Sequence, residues 1–178
     1  EELDRVKALY EREKMRTYSL VAFDPDGFKA VNDTYGHEAR HECLKLVGEE
    51  LQKVIRGSDF LAREGGDEFV VILPNTDESN ARAVGEKVLH TIEEQVTLRL
   101  KERGYNSKVS ASIGVLHVSC EDNHDISKEM LLKLADYTRY VVKAAGKGAV
   151  LTLDEARLCD TDKRHWKSFV SSQEEKNI

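Results

Sequence analysis

The stretch Asp59-Phe60-Leu61-Ala62-Arg63-Glu64-Gly65-Gly66-Asp67-Glu68-Phe69-Val70-Val71-Ile72-Leu73-Pro74 sets two apolar runs on either side of a Gly-Gly pair that is followed by two carboxylates. Apolar run, glycine turn, apolar run is the pattern of a β-hairpin. Glycines at the turn take positive φ without a Cβ clash, and their bare backbone lets a ligand approach the amides of Gly65 and Gly66, which suit an anion such as a phosphate. Asp67 and Glu68 are expected where the second strand leaves the turn, with strand alternation sending them to opposite faces. One carboxylate then points at a ligand or metal while its neighbour does another job. Taken alone, the same residues also read as an ordinary hairpin with a solvated acidic pair.

A second acidic strand end strengthens the chemical reading. Leu20-Val21-Ala22-Phe23-Asp24-Pro25-Asp26 is a buried-strand run ending in carboxylates. If this strand lies beside the hairpin, Asp24 and Asp67 converge, and clustered hard oxygens suit Mg²⁺. A magnesium ion beside glycine amides makes a triphosphate site. With these motifs in this order the chain resembles the GGDEF domain family, the diguanylate cyclases, over about residues 4 to 152. Arg63-Glu64-Gly65-Gly66-Asp67-Glu68-Phe69 matches the signature, and Phe23-Asp24-Pro25-Asp26-Gly27-Phe28-Lys29 with Asn32-Asp33-Thr34-Tyr35-Gly36-His37 matches the first-strand motif.

Composition is consistent with that class. A chain of 178 residues, 40% hydrophobic with 2 prolines, suits one well-cored mixed α/β domain. Its longest apolar runs are too short to span a bilayer and no secretory leader opens it, so a soluble, cytoplasmic domain without membrane contact is expected. Cys43, Cys120 and Cys159 show no metal-ligand spacing and read as incidental reduced thiols. A net charge of -6 argues against broad nucleic-acid contact. A nucleotide can still bind through local cations and a metal.

In chain order, Glu1 to about Lys14 reads as a charged amphipathic helix. By resemblance such a helix continues from an upstream sensory domain, which lies outside this sequence. Tyr18 to Asp24 is the first strand, stopped at Pro25 for want of an N–H. Gly27 to about Tyr35 is a short helix ended by Gly36, and His37 to Arg56 a longer one with Cys43, Val47, Leu51 and Val54 on its core face. After the hairpin, Thr76 or Asp77 caps a long helix carrying Ala81, Val84, Val88, Ile92 and Val96. Ser107 to Val118 alternates as a strand, Ile126 to Ala145 is a helix, and Ala149 to Thr152 a short strand. The order β-α-α-β-β-α-β-α-β predicts an α/β (α+β) palm-like nucleotidyl cyclase fold, a five-stranded, mainly antiparallel sheet covered by helices. Residues 1–152 form the expected GGDEF domain, and 153–178 an extension, helical and then frayed.

The resemblance implies a chemistry and assigns parts to it. Two GTP molecules are joined into cyclic di-GMP, with release of pyrophosphate, by attack of each 3′-hydroxyl on the other's α-phosphate, so the protein mainly positions and stabilises charge. Asp24, Asp67 and the Pro25 carbonyl would hold Mg²⁺ (or Mn²⁺). Glu68 would assist, as a further ligand or by helping to deprotonate the hydroxyl. Lys143 and Lys147 match the family's triphosphate position, although two lysines at a helix end also suit plain dipole complementarity. Lys29 and the Phe28 amide match its first-helix position. Because each subunit brings one substrate, a homodimer is implied. Arg56 and Asp59, in Arg56-Gly57-Ser58-Asp59, match the site where the family binds its product and is inhibited, with Lys87 as weaker support.

Base reading is where the chain departs. Asn32 matches the residue that reads guanine, but Arg40-His41 replaces the Gly-Asp pair that completes the site. A carboxylate accepts from both guanine N–H donors, whereas neutral His41 offers one acceptor and one donor. Either His41 relaxes selection, toward a mixed or adenine-containing cyclic dinucleotide, or it is a surface residue and selection comes from elsewhere. A module that senses GTP or cyclic di-GMP without turnover is the remaining alternative, disfavoured by the intact set Asp24, Asp67, Glu68, Lys143 and Lys147.

Overall fold

Strand β1 (Thr17–Asp26) is central in a sheet of order β2-β3-β1-β4-β5. Its apolar run is buried on both faces, with Leu20, Val21, Ala22 and Phe23 at 0% exposure. It pairs antiparallel with β3 (Glu68–Pro74) through Phe23↔Phe69 and with β4 (Ser110–Ser119) through Asp26↔Ser110. Hairpin strand β2 (Phe60–Gly65) closes one edge, and β5 (Ala149–Asp154) adds in parallel to β4 at the other. This is the mainly antiparallel five-stranded sheet read from the sequence. The computed structural model describes residues 17–119 and 128–154. The expected lead-in helix over Glu1 to Lys14, Cys120, Cys159 and the expected helical tail beyond residue 154 lie outside the described residues.

Helices α1 (Phe28–Tyr35) and α2 (His37–Gln52) follow β1, separated by Gly36 at φ 88°, whose N–H returns to the Asn32 carbonyl. A Cβ would strain that conformation. Helix α2 stops at Gln52 rather than Arg56 because Lys53 and Val54 bond back to Glu50 and Leu51 in tighter turns. Ala39, Cys43, Leu46, Val47 and Leu51 face the core. Burying each large aliphatic side chain contributes about 1.5–3 kcal/mol.

The long helix after the hairpin is three segments: α3 (Glu78–Thr91), a π-helical turn (Ile92–Val96) and α4 (Thr97–Glu102). Val88, Ile92, Val96 and Leu100 are all fully buried yet four residues apart. On a regular α-helix that spacing drifts by about 40° per step, and a wider turn absorbs the drift. Asp77 caps α3 by accepting the Asn80 N–H at 2.8 Å, which also holds its carboxyl below the usual range. Thr76, the other candidate cap, is instead buried, bonding Pro74 and accepting at its carbonyl from Ser19.

Three strand boundaries differ from the sequence reading. β1 continues past Pro25 to Asp26, because only the β3 ladder ends at Phe23 while the β4 ladder runs on. β4 starts at Ser110 and not Ser107: both backbone groups of Val109 are taken by the Thr97 hydroxyl. β5 extends to Asp154, opposite His117, because β4 is long enough to keep pairing. Helix α5 (Lys128–Ala145) packs over β4, with Gly114 directly beneath Thr138.

Candidate active site

One end of the central strands carries an acidic row. The Phe23↔Phe69 pair, with rings stacked at 5.2 Å, is the last rung between β1 and β3. Asp24 and Glu68 come one step beyond it on their strands, and Asp67 precedes Glu68. Asp67 lies in the turn itself: β2 ends at Gly65, a register shift falls between Arg63 and Gly65, and Gly66 takes φ 51°. Strand alternation is therefore not what separates Asp67 from Glu68. Their divergence comes from the turn, whose Gly66 carbonyl accepts from the Arg63 guanidinium at 2.7 and 3.0 Å.

Each acid meets a cation from a different part of the chain. Arg40 of α2 donates to Asp67 at 2.6 Å. Arg139 of α5 stands 3.5 Å from Glu68 and also pairs with Asp136. Lys143, a helical turn later, donates to Asp24, and Lys147 lies 3.4 Å from Asp26. Lys147 is past the end of α5, in the turn Gly146-Lys147-Gly148, with φ 67°. For a residue with a Cβ that backbone costs about 1–2 kcal/mol, a cost often found at functional positions. The expected pair of lysines on one helix end is thus one on the helix and one on a strained turn after it.

Three of these residues escaped the sequence reading. Asp26 is fixed by Ser112 at 2.7 Å and its side chain is 11% exposed. Its spacing of two from Asp24 along a strand was the available signal. Arg139 is 5% exposed with a buried Nη1 that has no partner among the described residues, and its spacing of four before Lys143 was the signal. In the sequence Arg40 stands only as part of a replaced Gly-Asp pair, and nothing there points it at Asp67.

The other candidates fall in three places. Phe28 is buried at the start of α1, Lys29 is exposed beside it, and the Asn32 carboxamide oxygen is buried without a partner among the described residues. His41 is exposed and lines an open groove of about 640 Å³ with Glu38, Glu42, Lys45, Arg103 and Tyr105. Asn32 does not line that groove, so the two expected base readers do not share it. Arg56 is exposed, whereas Asp59 is buried and spends one carboxylate oxygen on the Arg56 N–H at 2.8 Å, closing a turn before β2. Lys87 reaches the same turn region through the Val54 carbonyl at 2.8 Å. Cys43, beneath the site on α2, has its thiol pushed up to about 11, first by burial and further by the charges of Glu42 and Asp67.

Among the described residues, no three His, Cys, Asp or Glu side chains stand together as a ready metal cage. Magnesium does not need one, since it is commonly held by one or two carboxylates with substrate phosphates and water. Asp24 and Asp67, both half-buried hard-oxygen donors, fit that requirement.

The family model described as "Diguanylate cyclase, GGDEF domain" matches residues 2–149. This chain belongs to the GGDEF family. The GGDEF domain is 34% identical over 144 residues to "Probable diguanylate cyclase DgcT" of Escherichia coli (strain K12), covering 81% of this chain and 31% of that protein. It is 37% identical over 139 residues to "Diguanylate cyclase A" of Treponema denticola, covering 78% and 36%. The chain thus spans about a third of the length of these relatives. Among solved structures, the GGDEF domain of DgcB from Caulobacter crescentus in complex with c-di-GMP superposes with a TM-score of 0.73 at 28% identity, covering 85% of each chain. Diguanylate cyclase SiaD of Pseudomonas aeruginosa, solved with its activator SiaC, gives 0.71 at 27%, covering 85% of this chain and 56% of that one. No helix among the described residues is long and apolar enough to cross a membrane.

Proposed function

We propose that this GGDEF domain is a diguanylate cyclase, condensing two GTP into cyclic di-GMP and pyrophosphate. The observation that carries the reading is the meeting of the β1 acids with Lys143 and Lys147 at the sheet end to which the hairpin brings its own two acids. Asp24 and Asp67, with the Pro25 carbonyl, are the residues to hold Mg²⁺ or Mn²⁺. When bound, the ion supplies neutralisation of charge on the transferring phosphoryl group. Lys143 and Lys147 exchange their carboxylate partners for the triphosphate, joined by Lys29, the Phe28 amide and the amides of Gly65 and Gly66. Glu68, beside Asp67, assists at the 3′-hydroxyl. Arg139 holds Glu68 from the buried side, which fixes where that carboxylate stands.

Each 3′-hydroxyl reaches the other substrate's α-phosphate, expelling pyrophosphate, only if two domains face each other, so the working unit is a homodimer with one GTP on each subunit. Arg56 and Asp59 form the product site: the exposed Arg56 side chain can grip a phosphate, while Asp59 accepts from the Arg56 N–H at one carboxylate oxygen and, at a longer 3.4 Å, from the Ser58 hydroxyl at the other. The relative from C. crescentus, solved with cyclic di-GMP, supports that ligand class. A sensory domain upstream would set the dimer geometry.

Base choice rests on Asn32. Its buried carboxamide oxygen, unpartnered among the described residues, is an acceptor, and leaving such a group unpaired costs about 1–3 kcal/mol. Guanine offers two N–H donors on its pairing edge, adenine one. Incubated with Mg²⁺ and equimolar GTP and ATP, the domain is expected to release cyclic di-GMP as its main product by mass spectrometry. A mixed or adenine-containing product in comparable amount would make His41 the base reader. No product from any mixture would favour a sensing module.

A further inference from the structure

We propose that Arg40 is the resident counterion of Asp67, a cation that holds this carboxylate until a divalent metal displaces it and so sets how tightly the domain takes its metal. The inference rests on the reading of Asp24 and Asp67 as metal ligands. Arg40 stands in the first turn of α2 and reaches across to the hairpin turn, its Nη2 2.6 Å from Asp67 Oδ1. The two side chains are only 29% and 24% exposed, so their attraction is less screened than that of an open surface pair. An oxygen that accepts a charged donor at this distance has its lone pair directed at the guanidinium, and a second cation approaching it is repelled.

The register of the chain sharpens the point. The resemblance places the glycine of a Gly-Asp pair at position 40, and a glycine brings no charge to Asp67. Here an arginine closes the carboxylate. Lys143 also holds a site acid, Asp24, but its charge is matched by the incoming triphosphate. Arg40 comes from another helix and opposes the ion before any nucleotide arrives. Metal binding to the free domain is therefore weakened by the competing ion pair.

The test is Mn²⁺ binding to the purified domain without nucleotide, read by the loss of the free-ion electron paramagnetic resonance signal. Arg40→Ala is expected to tighten the Mn²⁺ Kd by about three- to tenfold. Arg40→Lys, which keeps the charge, should stay near wild type, as should Arg82→Ala, which removes an equal charge from the Glu86 pair on α3. Equal affinities for wild type and Arg40→Ala, including equally undetectable ones, overturn the proposal. So does a matching gain in Arg82→Ala, which would be a general charge effect, or in Arg40→Lys, which would be packing. Turnover and affinity fail separately. Product from wild type with four equal affinities removes Arg40's role and leaves the cyclase. Arg40→Ala alone binding tighter in a domain without product does the reverse.

Discussion

Asp24→Asn is expected to lower cyclic di-GMP formation by at least about a hundredfold while barely moving the melting temperature. The substitution keeps the shape of the side chain and removes one charge. Its partner Lys143 is 38% exposed and rehydrates when the carboxylate is lost, so the stability cost is that of a partly solvated pair, about 1 kcal/mol or less. The activity cost is of another order. Even groups that merely orient metal ligands are worth about 10–100-fold, and Asp24 is read here as a ligand itself. Initial rates with GTP and Mg²⁺, beside a thermal melt, separate the two effects. A variant within tenfold of wild type would remove Asp24 from the metal site.

The second large effect is on the fold and reaches the site through it. A Cβ added at Gly114 would lie 1.6 Å from Thr138 Oγ1, 2.4 Å from Thr138 Cβ and 3.1 Å from the backbone nitrogen of Arg139. A rotamer change at Thr138 moves the hydroxyl and methyl but leaves its Cβ at 2.4 Å, so the whole of α5 has to lift from β4. Gly114→Ala is accordingly expected at or above the upper end of ordinary overpacking, about 3 kcal/mol. For a domain of this size that is a fall of about 6–12 °C in Tm. Because α5 carries Arg139 and Lys143 and leads into Lys147, turnover should fall as well, at temperatures where the variant is still folded. An unchanged melt would mean that helix and strand are not in this contact.

These effects show which parts of the molecule were legible beforehand. The run Leu20 to Phe23 is apolar at every position and short, which suits a strand buried on both faces, and the Gly65-Gly66 punctuation marks the hairpin. Asp24 and Asp67 lie just past the last Phe23↔Phe69 rung, which the ends of the two apolar runs mark in the sequence. What stayed hidden depended on how elements are rotated against each other. The pattern Val88-Ile92-Val96-Leu100 has a period between helix types, and only its burial shows that a π turn absorbs the drift. Arg40 sits in a helix whose core face is plain from Ala39, Cys43 and Val47. That its guanidinium reaches a hairpin 27 residues later depends on the crossing of α2 over the sheet. That Asp67 belongs to the turn and not to the strand stays hidden because a register shift by one residue between Arg63 and Gly65 leaves no trace in the composition of the turn.

The most direct measurement is the rate of cyclic di-GMP formation from GTP and Mg²⁺ as the concentration of purified domain is raised through the range in which the proposed homodimer would form. Two facing sites, each holding one GTP against Asp24, Asp67, Lys143 and Lys147, require the rate to climb with roughly the square of concentration below the dimer midpoint and linearly above it. Product forming in strict proportion to protein at every dilution, or no product where the dimer is fully populated, would contradict that account.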